Sequence, residues 1–349
     1  MNAHVCPIQL EQFAHQALVA SGAHADHAAI TAKLLVQTDT WGVYSHGTKL
    51  LGGYCRRLKA GGLQAEGSPQ IADSGPAWAI VDGQSLMGQV TSQFAMQTAI
   101  ERATTAGIAY VGVRNSCHFG AAGVYAAMAA EAGLIGMAMA NDIPSVVAPG
   151  ARQAVVGTNP LAYAIPTRQA PPILLDISMA TVAGGKVYAA FQRGEPIAPD
   201  WLIGNDGQPT TDGSLYPSQA ALAPMTGHKG YGLALLIESL SGLLSGAAIT
   251  WSVGSWMHDD GTQPTDHGAA FLAINPAIIA GPKFLDRVEQ LIDEIHSTPT
   301  AEGVPQVYLP GELEWKRRER ALQEGIPFPP DVRAALDEVS ENWGVPKLP

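Results

Sequence analysis

The stretch RNSCHFGAAG, residues 114–123, decides how this chain is organised. It lies between an apolar, β-branched run at residues 108–113 and an alanine-rich run at residues 121–132. This order predicts a strand, a polar loop and the start of a helix. A loop between a strand end and a helix N-terminus can contact a ligand, because free backbone N–H groups there favour an anion or a developing oxyanion. His118 is therefore a candidate functional residue, although a histidine that caps the helix or fills a polar niche would give the same pattern.

Length and charge exclude several classes of protein. The chain has 349 residues, of which 46% are hydrophobic and 15% are charged, so it can bury a large core, and two domains are expected. Its 20 basic residues stand against 31 acidic residues, which gives a formal net charge of −11. Proteins that bind nucleic acid concentrate lysine and arginine on one surface, so no nucleic-acid partner is expected. A small anionic ligand needs only a local basic site.

The cysteines and the apolar segments favour a cytoplasmic protein. An odd number of cysteines without a CxxC spacing gives no disulfide framework and fits a reducing compartment. The N-terminus has no basic start followed by an apolar run, so no signal peptide is expected. The two most apolar windows, residues 121–140 and 231–249, are interrupted by Glu131 and Glu238, which favours buried helices and no membrane partner. The three cysteines are Cys6, Cys55 and Cys117.

Helical and strand patterns alternate along the rest of the chain. Residues 8–39 have apolar side chains at helical spacing and predict two helices joined near Ser21-Gly22. Residues 193–225 are rich in Gly, Pro, Asp and Thr and predict a long irregular excursion that could form a lid. The mixture predicts an α+β fold with a twisted sheet. Further strands are predicted at residues 77–82, 134–141, 173–176 and 271–274, and further helices at 84–107, 233–244, 281–296, 310–320 and 331–336.

Two common ligand-binding patterns are missing from the sequence. No G-x-G-x-x-G occurs, and the one G-x-G, Gly230-Tyr231-Gly232, has Leu235 where the third glycine would fall. His24 and His27 lie three residues apart, but no third metal ligand is spaced nearby, so a solvated helix start is favoured. The residues alone therefore predict neither a usual Rossmann fingerprint nor a metal site.

A second candidate site is Ser45-His46, a pair followed by Gly47 that leads into a short helix ending near Gly61-Gly62. Adjacent side chains usually diverge, so this pair is not by itself a nucleophile and its base. A serine that caps a helix, followed by a surface histidine, is the structural alternative.

Two further segments place charged residues where a ligand could meet them. Asp176 follows an apolar strand and is succeeded by small and hydroxyl residues, which suits a ribose or amide contact as well as a simple turn. Lys229 precedes an apolar helix, where the helix dipole opposes a lysine unless an anion joins it. We interpret Lys229 as a phosphate or carboxylate ligand, with a solvated lysine as the alternative.

Six dispersed motifs together resemble the malate/L-lactate dehydrogenase-like oxidoreductase family. They occur in the family's order over residues 8–330, and six motifs in order are far more specific than any one of them. The motifs are Ser45-His46-Gly47, Cys117-His118-Phe119-Gly120, Gly157-Thr158-Asn159-Pro160-Leu161, the segment that starts at Asp176, His228-Lys229-Gly230-Tyr231-Gly232, and Pro310-Gly311-Glu312.

The resemblance implies an enzyme that uses NAD or NADP to interconvert a small 2-oxo acid and its 2-hydroxy acid. It also implies an α+β, non-Rossmann fold in which residues 75–284 form the NAD(P)-binding and catalytic domain around a largely antiparallel sheet. Residues 1–74 and 285–349, from both chain ends, would form a helical domain. A homodimer with its active site near the subunit interface is implied as well, and the missing glycine fingerprint then becomes expected.

The resemblance assigns roles to individual residues. Ser45 and His46 would bind the substrate and supply the proton, and His118 would act as an acid/base or contact the cofactor. We favour His46 as the proton donor, because the neighbouring hydroxyl of Ser45 can orient it. Leu50, Tyr54 and Thr158 are further candidate substrate residues. The candidate cofactor residues are His118, Phe119, Gly120, Asp176, Ile177, Ser178, Met179, His228, Lys229, Gly311 and Glu312.

Two departures from the family pattern keep other functions open. Most members have an arginine that binds the substrate carboxylate where this chain has Leu50, with Lys49 one place earlier. The imine-reducing branch has an aspartate where Lys186 stands, which disfavours the alternative of a cyclic imine or N-alkyl amino acid reductase. Leu50 also keeps open a homologue that binds ligand without catalysis. The basic run at residues 316–318 fits either a 2′-phosphate or solvent, so both NAD and NADP are retained.

Overall fold

A seven-stranded sheet forms the centre of the structure, a computed structural model that describes residues 4–257 and 259–349. The strands of the described chain are β1 (His4–Val5), β2 (Gln70–Gly75), β3 (Trp78–Asp82), β4 (Ile108–Ser116), β5 (Ile135–Ala140), β6 (Val146–Val147), β7 (Ala154–Val156), β8 (Leu161–Ile165), β9 (Ile173–Ile177), β10 (Leu202–Gly204), β11 (Pro209–Thr210), β12 (Ala220–Leu222), β13 (His267–Ile274) and β14 (Ile326–Pro327).

Helices cover the sheet and build most of both chain ends. The α-helices are α1 (Pro7–Ala20), α2 (Ala25–Thr40), α3 (Leu51–Ala60), α4 (Gly88–Ala106), α5 (Gly123–Glu131), α6 (Gly184–Gln192), α7 (His228–Glu238), α8 (Pro276–Ile279), α9 (Phe284–His296), α10 (Glu312–Glu324) and α11 (Pro330–Trp343). Helix α7 continues as a π-helix, Ser239–Leu243, and single 3₁₀ turns occur at Tyr44–His46, Thr48–Leu50, Gly213–Leu215 and Thr250–Ser252. None of the helices in the described ranges is both long and apolar enough to cross a membrane.

The large sheet is mixed, with mostly antiparallel pairs. Its strand order is β2-β3-β4-β13-β5-β8-β9, and its one parallel pair is β3 with β4. The central strand is β13, which comes late in the chain and pairs antiparallel with β4 on one side and β5 on the other. Phe271 of β13 lies opposite Val111 and Ala138, and all three side chains are buried. The sheet therefore joins segments that are far apart in the sequence.

Alanine-rich helices pack closely against one face of this sheet. Helices α4 and α5 contribute small buried side chains to the same cluster as the apolar residues of β4 and β13. Phe119, Tyr125 and Phe271 fill the remaining space, with ring centroids 5.2 Å apart for Phe119 and Tyr125 and 5.6 Å apart for Tyr125 and Phe271. This packing fixes the start of α5, and with it the loop that carries His118.

Residues from both chain ends form a second apolar cluster. Buried side chains of α1, α2 and α3 pack with those of α10 and α11, and β1 pairs with β14. Trp256, Cys117 and Met87 belong to the same cluster, so the helical region made from the chain ends contacts the loop before His118 directly.

The structure differs from the sequence-based expectations most clearly in two segments. Residues 193–225 were expected to be irregular, but they contribute β10, β11 and β12 to a five-stranded sheet of order β11-β10-β12-β6-β7. These strands are only two or three residues long, so no side-chain period can show in the sequence. Strand β2 was not predicted because it is a polar edge strand, QIADSG, without a buried face.

Candidate active site

The Ser45-His46 pair lies on a tight turn between α2 and α3. Two successive 3₁₀ turns, Tyr44–His46 and Thr48–Leu50, replace a regular helix start. Asp39 holds this turn, because its Oδ2 accepts hydrogen bonds from the backbone N–H of Thr48 at 3.0 Å and from the Thr48 hydroxyl at 2.5 Å. A Cβ on Gly47 would lie 1.9 Å from Asp39 Oδ1, so only glycine fits beside this carboxyl. Ser45 Oγ lies 2.9 Å from His46 Nδ1.

Asp39 should make stability depend on pH. Its side chain is buried, and burial raises its pKa to about 7, against the opposing effect of the Thr48 hydrogen bonds. Because the pKa is higher in the folded protein than the ordinary 3.8, the stabilisation from the neutral carboxyl is complete below about pH 4 and is lost as the pH rises through about 7. We expect Asp39→Asn to gain thermal stability relative to the wild type between pH 5 and pH 8.

The measurement is the melting temperature of both proteins across that pH range. The matched control is Asp73→Asn, which changes an exposed carboxyl of β2. A difference between wild type and Asp39→Asn that stays constant with pH would contradict the assignment.

His118 has a fixed tautomer. Its Nδ1 accepts a hydrogen bond from the Tyr54 hydroxyl at 2.8 Å and a longer one from the backbone N–H of Gly120 at 3.4 Å. A nitrogen that accepts from a backbone N–H carries no proton, so the ring proton of His118 lies on Nε2. Burial lowers the pKa of His118 to about 3, although Asp142 opposes the shift, so the ring is neutral at physiological pH.

Stacked aromatic rings hold His118 in place. Its imidazole stacks on the indole of Trp256, with centroids 4.0 Å apart and planes at 10°. Tyr54 also stacks on Trp256, at 5.5 Å, and has no exposed surface. Tyr54, a candidate substrate residue, thus has no surface that a ligand can reach. Its hydroxyl forms its hydrogen bond with His118.

The two candidate histidines meet in the fold. Their ring centroids are 5.8 Å apart. A Cβ on Gly120 would lie 3.6 Å from the His46 carbonyl oxygen, so the two loops approach closely. Ser45 is exposed and His46 and His118 are half-buried, and the surface where the two histidines meet is called the cleft. Burial lowers the pKa of His46 below its ordinary 6.5, and the nearby Asp142 carboxylate partly reverses the shift.

Asp142 and His267 form a hydrogen-bonded pair near these histidines that sequence reasoning missed. Asp142 Oδ1 lies 3.0 Å from His267 Nε2, and His267 Nδ1 lies 2.9 Å from the Thr265 hydroxyl. Burial alone would raise the pKa of Asp142, but the hydrogen bond and charge of His267 hold it below the ordinary value. Asp142 directly follows the predicted strand 134–141. Its position at a strand end is the feature of the sequence that could have marked it as a candidate site residue. Trp256 gave no signal, because it lies in a segment without periodicity.

Asp176 connects the end of β9 to the start of α5. Its Oδ2 accepts a hydrogen bond from the backbone N–H of Gly123 at 2.7 Å, and desolvation by neighbouring protein atoms raises its pKa to about 6 despite this bond. Ile177 pairs with Leu161 of β8. Phe119, by contrast, has its ring in the core and its carbonyl bonded to the Tyr125 hydroxyl at 2.6 Å. A direct hydrogen bond thus joins Asp176 to the start of α5, which follows the His118 loop.

The segment after Asp176 lies against the loop that precedes α7. Met179 donates its backbone N–H to the Thr158 carbonyl at 2.7 Å and accepts from the Met225 N–H at 2.8 Å. Met179 is fully buried, so these contacts use all of its polar groups, while Ser178 and Thr158 remain half-buried. The contacts place the end of β9 beside the N-terminus of α7.

His228 and Lys229 are exposed in the first turn of α7. Lys229 makes no hydrogen bond or ion pair with any residue that the structure describes, which leaves its ammonium group available to an anion. The resemblance placed both residues among the cofactor contacts.

Gly311 and Glu312 lie at the other end of β9. The Pro310 carbonyl accepts from the Leu174 N–H at 3.0 Å, and a Cβ on Gly311 would lie 2.8 Å from Leu174, so glycine allows this close approach. Glu312 is already bonded, to His296 at 2.7 Å and to the Leu309 N–H at 3.1 Å. A cavity of about 610 Å³ opens here; it is lined by residues that include Ile173, Pro310, Glu312, Trp315, Lys316 and Arg318.

Leu50 and Lys49 are oriented differently from each other. Leu50 is half-buried and packs against the cluster formed by the chain ends. Lys49 Nζ donates to Asp331 Oδ2 of α11 at 2.6 Å. Lys49 is therefore already paired with a residue of α11. Position 50 carries no charge, because it is a leucine.

The described residues contain no group of three or more His, Cys, Asp or Glu side chains that could hold a metal ion. His24, considered above with His27, caps α2 by accepting from the Asp26 N–H at 3.3 Å.

Known proteins resemble the chain along almost its whole length. The sequence profile of the malate/L-lactate dehydrogenase family matches residues 6–337. Malate dehydrogenase of Pyrococcus abyssi is 35% identical over 350 residues, which cover 97% of this chain and 95% of that protein. Ureidoglycolate dehydrogenase (NAD(+)) of Escherichia coli O157:H7 is 34% identical over 324 residues, covering 93% of this chain and 92% of that protein. The crystal structure of malate dehydrogenase from Entamoeba histolytica superposes with a TM-score of 0.91 at 28% identity, covering 99% of each chain.

Proposed function

Because this chain belongs to the malate/L-lactate dehydrogenase family of oxidoreductases, we propose that it interconverts a small 2-oxo acid and its 2-hydroxy acid. The bound nicotinamide cofactor would supply or accept the hydride. The observation that carries the proposal is the pairing of His46 with His118, whose rings lie 5.8 Å apart at one cleft. A carbonyl oxygen between them would have a proton donor on one side and a neutral hydrogen-bond donor on the other.

His46 is the proton donor in this proposal. Hydride transfer to a carbonyl carbon creates an alkoxide, and a group that titrates near neutral pH lowers the barrier by protonating it. Ser45 Oγ can accept from Nδ1–H in both protonation states of His46, which leaves Nε2 to exchange the proton with the substrate oxygen. His118 stays neutral because its pKa is about 3, so it contributes a hydrogen bond from Nε2–H.

The residues of this chain fit a dinucleotide with phosphate groups. Lys229 and the N-terminus of α7 present positive charge, with no side-chain partner for Lys229 among the described residues, and free N–H groups at a helix start favour anions. Asp176 would bind a hydroxyl or amide group, and residues 311–312 would border the far end, beside the cavity. NAD and NADP both remain in the proposal, because Lys316 and Arg318 line that cavity and could reach a 2′-phosphate.

We also propose that the protein is a homodimer. Helix α7 and its continuation expose Leu236, Leu243 and Leu244 to 54%, 61% and 57%, and nearby Trp251 is 64% exposed. An apolar surface of this kind is typical of an interface, and a second copy of the chain would cover it next to Lys229. Sedimentation equilibrium should give twice the chain mass of 36.5 kDa; a mass of 36.5 kDa would contradict the dimer.

Oxidation of NADH and NADPH, followed by absorbance, tests the function directly. We expect turnover with at least one member of a panel of 2-oxo monocarboxylates and dicarboxylates. Turnover of cyclic imines alone would overturn the proposal in favour of an imine reductase. Binding of cofactor and 2-oxo acid without turnover would identify a non-catalytic homologue.

Leu50 should limit activity on dicarboxylic acids. An arginine holds a carboxylate through two parallel N–H···O bonds, whereas leucine offers only apolar contact, so the wild type should prefer monocarboxylates with apolar tails over oxaloacetate. Leu50→Arg should raise kcat/KM for oxaloacetate by about tenfold or more relative to a branched 2-oxo monocarboxylate. The comparison uses pyruvate, a branched 2-oxo acid and oxaloacetate in both proteins. The idea fails if the wild type already prefers oxaloacetate or if the ranking is unchanged.

A further inference from the structure

Two basic side chains near the Ser45-His46 turn are already paired. Lys49 donates to Asp331 at 2.6 Å. Arg57 is 2% exposed and donates to Asp259 at 2.5 Å and to the Ser255 carbonyl at 3.1 Å. Neither cation is free to bind a ligand carboxylate.

Arg56 is exposed and makes no hydrogen bond or ion pair with any residue in the described ranges. Its guanidinium extends back along α3, toward the helix N-terminus. One terminal nitrogen of Arg56 lies 3.5 Å from where a Cβ on Gly52 would be. The other lies 3.9 Å from where a Cβ on Gly53 would be. Side chains in a helix lean toward the N-terminus, and two glycines leave the surface open beneath this one.

The guanidinium of Arg56 borders the surface that carries His118. A Cβ on Gly53 would also lie 3.5 Å from Cζ3 of Trp256. The indole edge and the guanidinium therefore both lie next to Gly53. Trp256 stacks on His118 with centroids 4.0 Å apart. Leu50 lies three residues before Gly53, and residues three apart share a helix face. Arg56 thus lies along α3 next to the edge of Trp256, whose face stacks on His118, and Leu50 lies one turn earlier.

We propose that Arg56 binds the substrate carboxylate and so determines which acids the enzyme accepts. This inference rests on the proposed function. A guanidinium matches one carboxylate through two parallel hydrogen bonds, and it is more weakly hydrated than an ammonium group. The acid's tail would then contact the half-buried Leu50, where a second carboxylate would lie against an apolar side chain. The cation that the family pattern places at position 50 is supplied here from the next turn of α3.

Arg56→Ala should raise KM for the best 2-oxo monocarboxylate about 10- to 100-fold, with smaller changes in kcat and in cofactor affinity. The methyl ester of the same acid lacks the negative charge, so wild type and variant should use it equally. Lys59→Ala is the matched control, because it removes an exposed positive charge from the last turn of α3. In the Arg56→Ala background, Leu50→Arg should restore most of the lost affinity for the acid.

Binding of oxamate, measured by calorimetry with NADH present, separates this inference from the proposed function. We expect Arg56→Ala to weaken oxamate binding by at least about tenfold. If the wild type turns over no acid in the panel, the proposed function fails, and the oxamate titration still decides the role of Arg56. Equal oxamate affinity in the two proteins, no oxamate binding to either, or equal losses for acid and ester would overturn the inference.

Discussion

Replacing His46 with alanine should lower kcat by at least about 100-fold, because general acid catalysis by a positioned side chain typically contributes 10²–10⁴. Cofactor binding, followed by NAD(P)H fluorescence, should change little, since the proposed role of His46 is at the substrate oxygen. His15→Ala is the control for loss of an ordinary histidine, on α1. Unchanged turnover in His46→Ala would remove His46 from the mechanism.

The pH profile gives an independent check of the same residue. Burial lowers the pKa of His46 below 6.5, so the protonated donor exists mainly on the acid side of that value. We expect kcat/KM for reduction of the 2-oxo acid to fall as the pH rises through an ionisation below pH 6.5. The reverse reaction needs the neutral base, so its kcat/KM should rise over the same range. Profiles that are flat between pH 5 and pH 7 would contradict the assignment.

Lys229→Ala should raise the Kd for NAD(P)H about tenfold or more. A hydrogen bond to a charged group contributes about 1.5–3 kcal/mol, and Lys229, in the first turn of α7, pairs with no residue in the described part of the chain. The matched control is Lys186→Ala, which removes another exposed lysine from the first turn of a helix, α6. Fluorescence titration measures both variants. If affinity is unchanged and only the melting temperature falls, Lys229 is structural.

The sequence predicted the long periodic elements well. Helices α1 and α2 meet near residues 21–24, as their apolar spacing indicates, and β4 leads through the His118 loop into α5 as the opening stretch predicts. The predicted strand 271–274 is the end of β13, whose first half, His-Gly-Ala-Ala, has mostly small side chains and shows no strand period. The sequence of β13 does not show that this strand lies at the centre of the sheet, because tertiary packing decides which strands pair.

The candidate site was predictable one residue at a time but not as an arrangement. The sequence marked Ser45-His46 and His118 separately, and the family resemblance, which the sequence profile confirms, linked them. Their approach depends on the turn held by Asp39 and on the position of Gly120 beneath the His46 carbonyl. Trp256 is brought under His118 by a loop without periodicity, so its role follows only from the three-dimensional contacts.

The late arrival of β13 has a consequence for synthesis of the protein. Residues 141–266 separate β5 from β13, so during translation β4 and β5 each keep an unpaired edge until residue 274 has left the ribosome. Contacts between distant segments slow folding, and open strand edges with apolar faces invite association with other chains. The nascent chain therefore carries two half-sheets, β2-β3-β4 and β5-β8-β9, each with one open edge. A chain cut short before His267 would keep both edges permanently and should accumulate as aggregate.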